Sequence, residues 1–268
     1  DGTESGTIIV KDFGDDSSNV LAGYQQDIGF VEFKSNFYFS LNDGINGWKI
    51  WKSDGTESGT SILNDADSSI GGDIGQYVEF KNYLYFAAEN TSSGKELWRT
   101  DGTESGTTLV KDINSGSEGS SPSYKVVSQN QLFFAADNST NGYELWKTDG
   151  TESGTSLVKD INSDESEGSQ DYMPRSLIDY GDKLVFFASD GNTGLELWTS
   201  DGSSEGTLLV EDLNSGSSNG ISWDYMEESL LVFYESKEKL LFQGDNGSTG
   251  MELFSLDLVY PSISGPSG

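Results

Sequence analysis

The chain has 268 residues, of which 34% are hydrophobic and 12% aromatic, so a folded core must depend largely on Phe, Tyr and Trp. Its 45 acidic and 15 basic residues give a formal net charge of −30, which argues against nucleic acid and anionic membranes as partners because both would be repelled. The lack of cysteine excludes disulfides and thiolate metal sites, and the lack of a long apolar run argues against membrane insertion.

One seven-residue motif recurs along the chain and divides it into repeats. It is Asp-Gly-Thr-Glu-Ser-Gly-Thr in four copies and Asp-Gly-Ser-Ser-Glu-Gly-Thr in the fifth, and the copies begin at Asp1, Asp54, Asp101, Asp149 and Asp201. Consecutive copies start about 50 residues apart, a period typical of β-propellers when the repeat contains short strands. We therefore predict one propeller domain over residues 1–260, followed by a C-terminal tail or linker over residues 261–268.

Each repeat predicts four strands, named a to d in chain order and joined by short turns. The chain opens with a d strand over residues 7–12, directly after the first copy of the motif. The third repeat shows the complete pattern, with predicted strands at Tyr124–Ser128, Gln131–Ala136, Tyr143–Thr148 and Thr155–Ile161. The a–b, b–c and c–d links are hairpin-sized, whereas each d–a link is longer, which indicates antiparallel blades joined by crossovers.

The two ends of the chain predict how the fold closes. The last repeat ends after its c strand, Met251–Leu256, and contains no d strand of its own. The N-terminal strand can complete that blade and remove the open sheet edge. The predicted fold is therefore an all-β, five-bladed β-propeller of four-stranded antiparallel blades, closed by the N-terminal strand, which completes the last blade. An open solenoid is the alternative, and it would need polar capping repeats.

The c strand and the turn after it carry the most specific motif. Glu-Leu-Trp-x-x-Asp-Gly-Thr occurs at Glu96–Thr103 and Glu144–Thr151, with Ser replacing Thr at Glu196–Ser203, and Gly-Thr-x-x-Val-Lys-Asp-Ile follows. This pattern covers nearly the whole chain and resembles the ELWxxDGT repeat family of large exported and surface-associated bacterial proteins. The resemblance implies a secreted or cell-surface location and a propeller-like repeat, and it implies no settled activity. The end repeats depart from the motif, with Trp48–Trp51 and Glu252–Phe254 at the equivalent positions.

The acidic residues of the repeats form two groups with different expected roles. The aspartates of the Asp-Gly-Thr turns, such as Asp101 and Asp149, are interpreted as turn formers whose carboxylates accept backbone hydrogen bonds. Each b–c loop also contains one early acid, which a closed ring would bring to one rim: Asp43, Glu89, Asp137, Asp190 and Asp245. These five residues are the predicted ligands of Ca²⁺, which favours carboxylate and carbonyl oxygens, although no loop has the full EF-hand spacing. Solvated turn residues are the alternative.

Aromatic residues recur close to the start of the a strands. They are Tyr77, Tyr124, Tyr172, Trp223 and Tyr225. Aromatic rings with carboxylates and amides nearby bind sugars by stacking and hydrogen bonding, so these residues are the predicted ligand-binding set. Their repetition favours weak multivalent binding over one tight site. Packing at the inner strand is the alternative.

The function that follows is a non-catalytic extracellular or cell-surface module for adhesion or structural interaction. Its expected partners are an extracellular glycan or protein, with Ca²⁺ as a hypothetical aid, within a larger surface assembly. A lectin-like carbohydrate-binding propeller is the alternative. A glycoside-active enzyme is less favoured because the chain has no histidine and no cysteine, and paired carboxylates would be needed where the repeat symmetry breaks, at residues 223–228 with Asp27. We predict that the chain is not an enzyme.

Overall fold

The computed structural model describes residues 2–13, 30–63, 76–163, 173–180, 182–221, 231–234 and 239–257. Within these residues the chain forms nineteen strands and no helix. The strands fall into five antiparallel sheets, numbered here in chain order, and every strand pairs with its neighbour in sequence. No helix in this described part of the chain is long and apolar enough to cross a membrane.

Sheets 1 to 4 have four strands each, and sheet 5 has three. Sheet 1 contains β1 (Val31–Phe33), β2 (Asn36–Asn42), β3 (Trp48–Ser53) and β4 (Ser61–Ile62). Sheet 2 contains β5 (Val78–Phe80), β6 (Tyr83–Asn90), β7 (Gly94–Thr100) and β8 (Thr108–Lys111). Sheet 3 contains β9 (Ser123–Ser128), β10 (Gln131–Asp137), β11 (Tyr143–Thr148) and β12 (Ser156–Lys159). Sheet 4 contains β13 (Arg175–Tyr180), β14 (Lys183–Ser189), β15 (Leu195–Ser200) and β16 (Leu208–Glu211), and sheet 5 contains β17 (Leu231–Tyr234), β18 (Lys239–Asp245) and β19 (Met251–Asp257).

This arrangement confirms the all-β prediction and the four-stranded antiparallel repeat. Residues 7–12, predicted as a d strand that completes the last blade, are not part of a sheet in the structure. A strand needs a hydrogen-bonded neighbour, and sheet 5 contains β17, β18 and β19 without an N-terminal partner. A closed ring is therefore not part of the observed fold.

The repeats share their strand register. In sheets 1 to 4 the b–c hairpin pairs a phenylalanine with a tryptophan, as Phe86 pairs with Trp98 and Phe134 with Trp146, and in sheet 5 Phe242 pairs with Phe254. The c–d pairing then shifts register after the motif leucine in sheets 2, 3 and 4. A bulge at the same place in three sheets bends each outer strand in the same way.

The hydrophobic core lies between consecutive sheets. At the first of these interfaces, Phe33 and Tyr38 of sheet 1 pack with Leu84, Phe86 and Trp98 of sheet 2. Equivalent clusters join sheets 2 and 3, 3 and 4, and 4 and 5. The middle sheets therefore bury both faces, which explains why Leu132–Ala135 is apolar without alternation.

Candidate functional site

The Asp-Gly-Thr turns are held together by the aspartate, as expected of turn formers. Asp101 Oδ1 accepts hydrogen bonds from the backbone nitrogen and the hydroxyl of Thr103, at 2.9 and 2.6 Å. Asp149 bonds Thr151 in the same way, at 2.8 and 2.7 Å. These side-chain and backbone bonds hold the pKa of both aspartates below its usual value. The carboxylates are therefore engaged within their own turns.

Each of these turns docks on the preceding sheet. Arg99 of sheet 2 donates to the carbonyl oxygen of Gly150 at 2.6 Å, and Lys147 of sheet 3 donates to that of Gly202 at 2.8 Å. A β-carbon at Gly150 would lie 2.5 Å from the hydroxyl oxygen of Tyr85, and its φ of +99° also favours glycine. The turn glycine thus allows a close contact between sheets.

The basic residues of the chain are largely used in such contacts. Eight of the 15 donate to a backbone carbonyl in the following repeat: Lys11, Lys34, Lys52, Lys81, Arg99, Lys111, Lys147 and Lys159. A charged donor makes a stronger hydrogen bond than a neutral one. More than half of the positive charge of the molecule therefore joins one repeat to the next.

The five acids predicted to bind calcium lie in separate loops. Asp43 Oδ1 accepts from the backbone nitrogens of Ile45 and Asn46, at 3.0 and 2.7 Å, and Asp190 Oδ1 accepts from those of Asn192 and Thr193, at 2.9 and 2.8 Å. Burial acts to raise the pKa of Asp43, but hydrogen bonds from the backbone and side chain of Asn46 outweigh it and keep the pKa low. The same balance, with bonds from Thr193 and Asn192, keeps the pKa of Asp190 low.

The other three acids are less enclosed. Asp137 and Asp245 each accept one backbone bond, from Ser139 at 2.6 Å and Gly247 at 2.8 Å, and Glu89 is exposed on β6. Among the described residues, no three acidic, histidine or cysteine side chains are grouped so that they could hold a metal ion. Calcium binding at these loops stays a prediction, and the geometry that the structure gives the acids is that of loop-stabilising residues.

The predicted aromatic ligands are placed in the packing where the structure describes them. Tyr77 lies between sheets 1 and 2, with its hydroxyl 3.1 Å from that of Ser40 and its ring centroid 5.9 Å from that of Phe86. Burial raises its pKa. Tyr124 packs against the cluster of Ala135 and Tyr143. Tyr172, Trp223 and Tyr225 lie outside the described residues, as do residues 223–228 and Asp27 of the enzyme hypothesis.

A site that the sequence analysis missed is the glutamate of the Glu-Leu-Trp motif. Glu96, Glu144 and Glu196 are each completely buried in the middle of a strand. Each accepts a hydrogen bond from a backbone nitrogen in the d–a crossover that follows its sheet, for example from Asn162 to Glu144 at 2.8 Å. The sequence does contain a signal for this site, because the glutamate recurs at an inward position of an otherwise apolar strand. A charged residue buried at such a position needs a polar partner.

Two of these glutamates, Glu96 and Glu196, accept hydrogen bonds from both ends of the crossover that follows their sheet. Glu96 accepts from the backbone nitrogens of Asn114 and Ser120, both at 3.0 Å, and from the Ser120 hydroxyl at 2.5 Å. Glu196 accepts from the backbone nitrogens of Leu213 at 3.2 Å and Gly220 at 2.6 Å. Burial raises the pKa of both carboxyls to about 7, against the effect of these bonds.

The crossover residues held by the glutamates are also bonded to the next sheet. The Ser120 carbonyl accepts from the backbone nitrogen of Asp137 on β10 at 2.9 Å, while Ser121 donates to the carbonyl of Lys95 on β7 at 2.9 Å. Gly220 accepts from Asp245 on β18 at 2.7 Å in the same manner. We name Glu96 with Ser120, and Glu196 with Gly220, the crossover clasps. Each clasp joins a c strand to the start of the following b–c loop.

Comparison with known proteins gives limited similarity. No protein-family model matches the chain, and no curated protein matches it. The chain is similar to the computationally designed Ika8 protein at 13% identity, covering 86% of this chain and 61% of that one, with a TM-score of 0.41. It is similar to a structure from an analysis of two prolyl endopeptidases at 14% identity, covering 86% and 34%, with a TM-score of 0.47.

A third similarity is to a putative TolB from Agrobacterium tumefaciens, at 14% identity, covering 68% of this chain and 63% of that one, with a TM-score of 0.38. The chain spans less than two thirds of the length of each of these three structures. At such TM-scores and identities, the similarities carry no argument about activity.

Proposed function

We propose that the chain is a non-catalytic extracellular or cell-surface module of the ELWxxDGT repeat type, which acts in adhesion or structural interaction. The observation that supports this proposal is the use of the repeated polar residues. The motif aspartates bond their own turns, the motif glutamates bond the crossovers, and most basic residues bond the next repeat. The repeated chemistry therefore builds a framework, and the b–c loops, which differ among repeats, remain for contact with a partner.

We further propose that the five sheets are the blades of a propeller that closes when residues 7–12 add to β19. The N-terminal segment has the sequence of a d strand and makes d-strand contacts with sheet 1. Lys11 donates to the Thr60 carbonyl at 3.1 Å, as Lys111 donates to the Thr155 carbonyl at 2.8 Å. Phe13 packs edge-on against Trp51, with ring centroids 5.0 Å apart. These contacts support the proposal that the segment acts as the d strand preceding sheet 1.

The exposed faces of the two end sheets also support closure. Phe37 of sheet 1 is 48% exposed, whereas Leu84, at the equivalent position of sheet 2, is fully buried. Leu253 of sheet 5 is 73% exposed, whereas Leu145, at the equivalent position of sheet 3, is fully buried. We propose that these two faces form one more interface of the kind that already joins sheets 1 to 5. Their contact would remove both apolar surfaces from water.

The adhesion proposal is tested with beads that carry the purified chain. Retention is measured under flow on surfaces coated with alginate, chitin or collagen, with 0.5 M NaCl used to screen the acidic surface, a salt level at which the Debye length is about 4 Å. We expect retention on at least one coating and no release of reducing sugar from either polysaccharide. Beads with a chain in which the b–c loop of sheet 4 is replaced by that of sheet 2 serve as the matched control. Hydrolysis of either polysaccharide, or no retention on any coating, would contradict the proposal.

A further inference from the structure

We propose that the crossover clasps are proton-sensitive, so that the protonation of Glu96 and Glu196 controls how firmly each crossover holds the following b–c loop. This inference goes beyond the adhesion function and does not depend on it. It rests on the position of each carboxyl, which is fully buried and bonded to a crossover residue that is itself bonded to the next sheet. A change in the charge of one buried group is therefore transmitted to two sheets.

A second carboxyl lies beside each clasp. Asp112 follows β8 and its negative charge raises the pKa of Glu96, while Asp212 follows β16 and acts on Glu196 in the same way. Asp112 Oδ1 and Asp212 Oδ1 are both buried, and neither accepts a hydrogen bond from the described residues. Two carboxyl groups at a buried site repel each other when both are ionised, and one proton removes that repulsion.

The other charged groups around the clasps have weaker effects on the pKa of Glu96 and Glu196. Those on the elements next to Glu96 are Glu89 on β6, Lys95 and Arg99 on β7, Lys111 on β8, Glu118 on the crossover and Asp137 on β10. Those next to Glu196 are Lys183 on β14, Asp190 in the b–c loop, Glu211 on β16, and Lys239 and Asp245 on β18. Burial comes first among the causes that raise both pKa values, and Asp112 and Asp212 supply the charge that raises them further.

The protonated state is the tighter one. Because the folded pKa of about 7 lies above the ordinary glutamate value of about 4.5, the folded chain binds these protons more strongly than the unfolded chain does. The clasps therefore contribute stability that is fully present below pH 4.5 and is lost as the pH rises through 7. The protonated Glu96 carboxyl can also donate to the Ser120 hydroxyl oxygen, which lies 2.5 Å away.

The composition of the chain makes the titration of Glu96 and Glu196 easy to separate from that of other groups. The chain has no histidine and no cysteine, so the side chains that usually titrate near neutral pH are missing. Apart from the α-amino group, a transition between pH 6 and 8 must come from groups with shifted pKa values. Glu152 supplies a control, because this glutamate is exposed in the turn that follows β11 and takes no part in a clasp.

The experiment compares the wild type, the Glu96→Gln/Glu196→Gln double variant and the Glu152→Gln variant from pH 5.5 to 8.5. Tm is measured by calorimetry, and amide exchange is followed in peptides that contain Ser120–Ser121 and Gly220–Ile221, with correction for the intrinsic exchange rate. For the wild type we expect Tm to fall as the pH rises through 7, and local opening to increase by up to about thirtyfold per clasp across this pH range. Glu152→Gln should behave as the wild type.

Glutamine at both clasps is neutral at every pH, so the double variant should lose the pH dependence of Tm and of crossover exchange in this range. If the double variant kept the wild-type dependence, the proposal would be overturned. It would also be overturned by a wild type whose Tm and crossover exchange do not change between pH 6 and 8. If the double variant does not fold, each single variant should lose the dependence at its own crossover alone, and retention of that dependence would overturn the proposal as well.

Discussion

The middle sheets and the end sheets have nearly the same repeat sequence but different environments. Leu145 in sheet 3 is fully buried, and Leu253 at the equivalent position of sheet 5 is 73% exposed. The two leucines have similar neighbours along the strand, since Glu-Leu-Trp in one corresponds to Glu-Leu-Phe in the other. The difference arises because sheet 3 is followed by another sheet and sheet 5 is not. Whether a motif residue is buried therefore depends on whether a neighbouring sheet covers it, as expected when repeats bury their faces only against neighbours. The series of packed sheets 1 to 5 is called the stack here.

The strongest way to break the stack is to remove a side chain from an interface between middle sheets. Leu145→Ala should destabilise the chain by roughly 2–5 kcal/mol, since Leu145 packs with Phe133 of its own sheet and Phe186 of sheet 4. Urea unfolding followed by tryptophan fluorescence measures this change. Leu208→Ala, at an exposed position of β16, is the control and should change stability by about 0.5 kcal/mol or less. Equal costs for the two variants would contradict the burial that the structure assigns.

The same substitution at Leu253 sharpens the comparison between middle and end sheets. If the end faces meet as proposed, Leu253→Ala should cost about 2 kcal/mol or more, close to the lower end of the range for buried leucine. A side chain that stays exposed should cost about 0.5 kcal/mol or less. The measurement is the urea midpoint of the variant against wild type, and the small value would count against closure.

The basic residues that join the sheets should have a moderate effect. Arg99 donates to the Gly150 carbonyl at 2.6 Å and lies 4.4 Å from the ring centroid of Tyr83. Arg99→Ala should therefore cost about 1–2 kcal/mol, combining a charged hydrogen bond with a cation–π contact. Arg99→Lys should recover part of the loss, because Lys147 makes the equivalent bond in sheet 3. A loss below about 0.3 kcal/mol, or a lysine variant no better than alanine, would argue against this role.

The turn aspartates should give the smallest effect, and it should depend on pH. The folded pKa of Asp149 is lowered by bonds from the side chain and backbone of Thr151, so its contribution to stability is present above its unfolded pKa and lost as the pH falls through the folded pKa. The wild type should therefore lose stability on acidification below pH 4 slightly more steeply than Asp149→Asn. Urea midpoints between pH 2.5 and 5 measure the two slopes. Parallel slopes would indicate that the turn bonds do not depend on the charge.

Much of the fold could be predicted from local sequence signals. In the third repeat, the predicted strand Tyr143–Thr148 has the bounds of β11, and Tyr124–Ser128 differs from β9 by one residue. The turns of Asn, Asp and Gly mark the strand ends clearly because these residues adopt the backbone conformations that tight turns require. The outer d strands are shorter than predicted, because in sheet 3 pairing ends at Lys159, opposite Leu145, directly after the bulge.

The candidate sites could be predicted less well because they depend on contacts between distant residues. Glu96 is bonded to Ser120, 24 residues further along the chain, and nothing local to the Glu-Leu-Trp motif shows that partner. The hydroxyl of Tyr77 is bonded to Ser40 of the preceding sheet, so an aromatic residue predicted to bind sugar lies in the packing. Asp43, predicted to bind calcium, is satisfied by Asn46 three residues away, a bond that the Asp-Gly-Ile-Asn sequence does allow.

Closure of the ring is the central claim, and a disulfide between the chain ends tests it most directly. Thr108 pairs with Arg99 and Leu208 with Thr199, so a closed ring should pair Ile8 with Ser255. In this cysteine-free chain, Ile8→Cys with Ser255→Cys should form an intramolecular disulfide, because paired strand residues lie within the Cα distance that a disulfide spans. Ile8→Cys with Thr199→Cys is the control, since Thr199 already has a strand partner. Rapid intramolecular bonding of the first pair alone is the predicted result. Bonding no faster than the control, or bonding only between copies, would contradict closure.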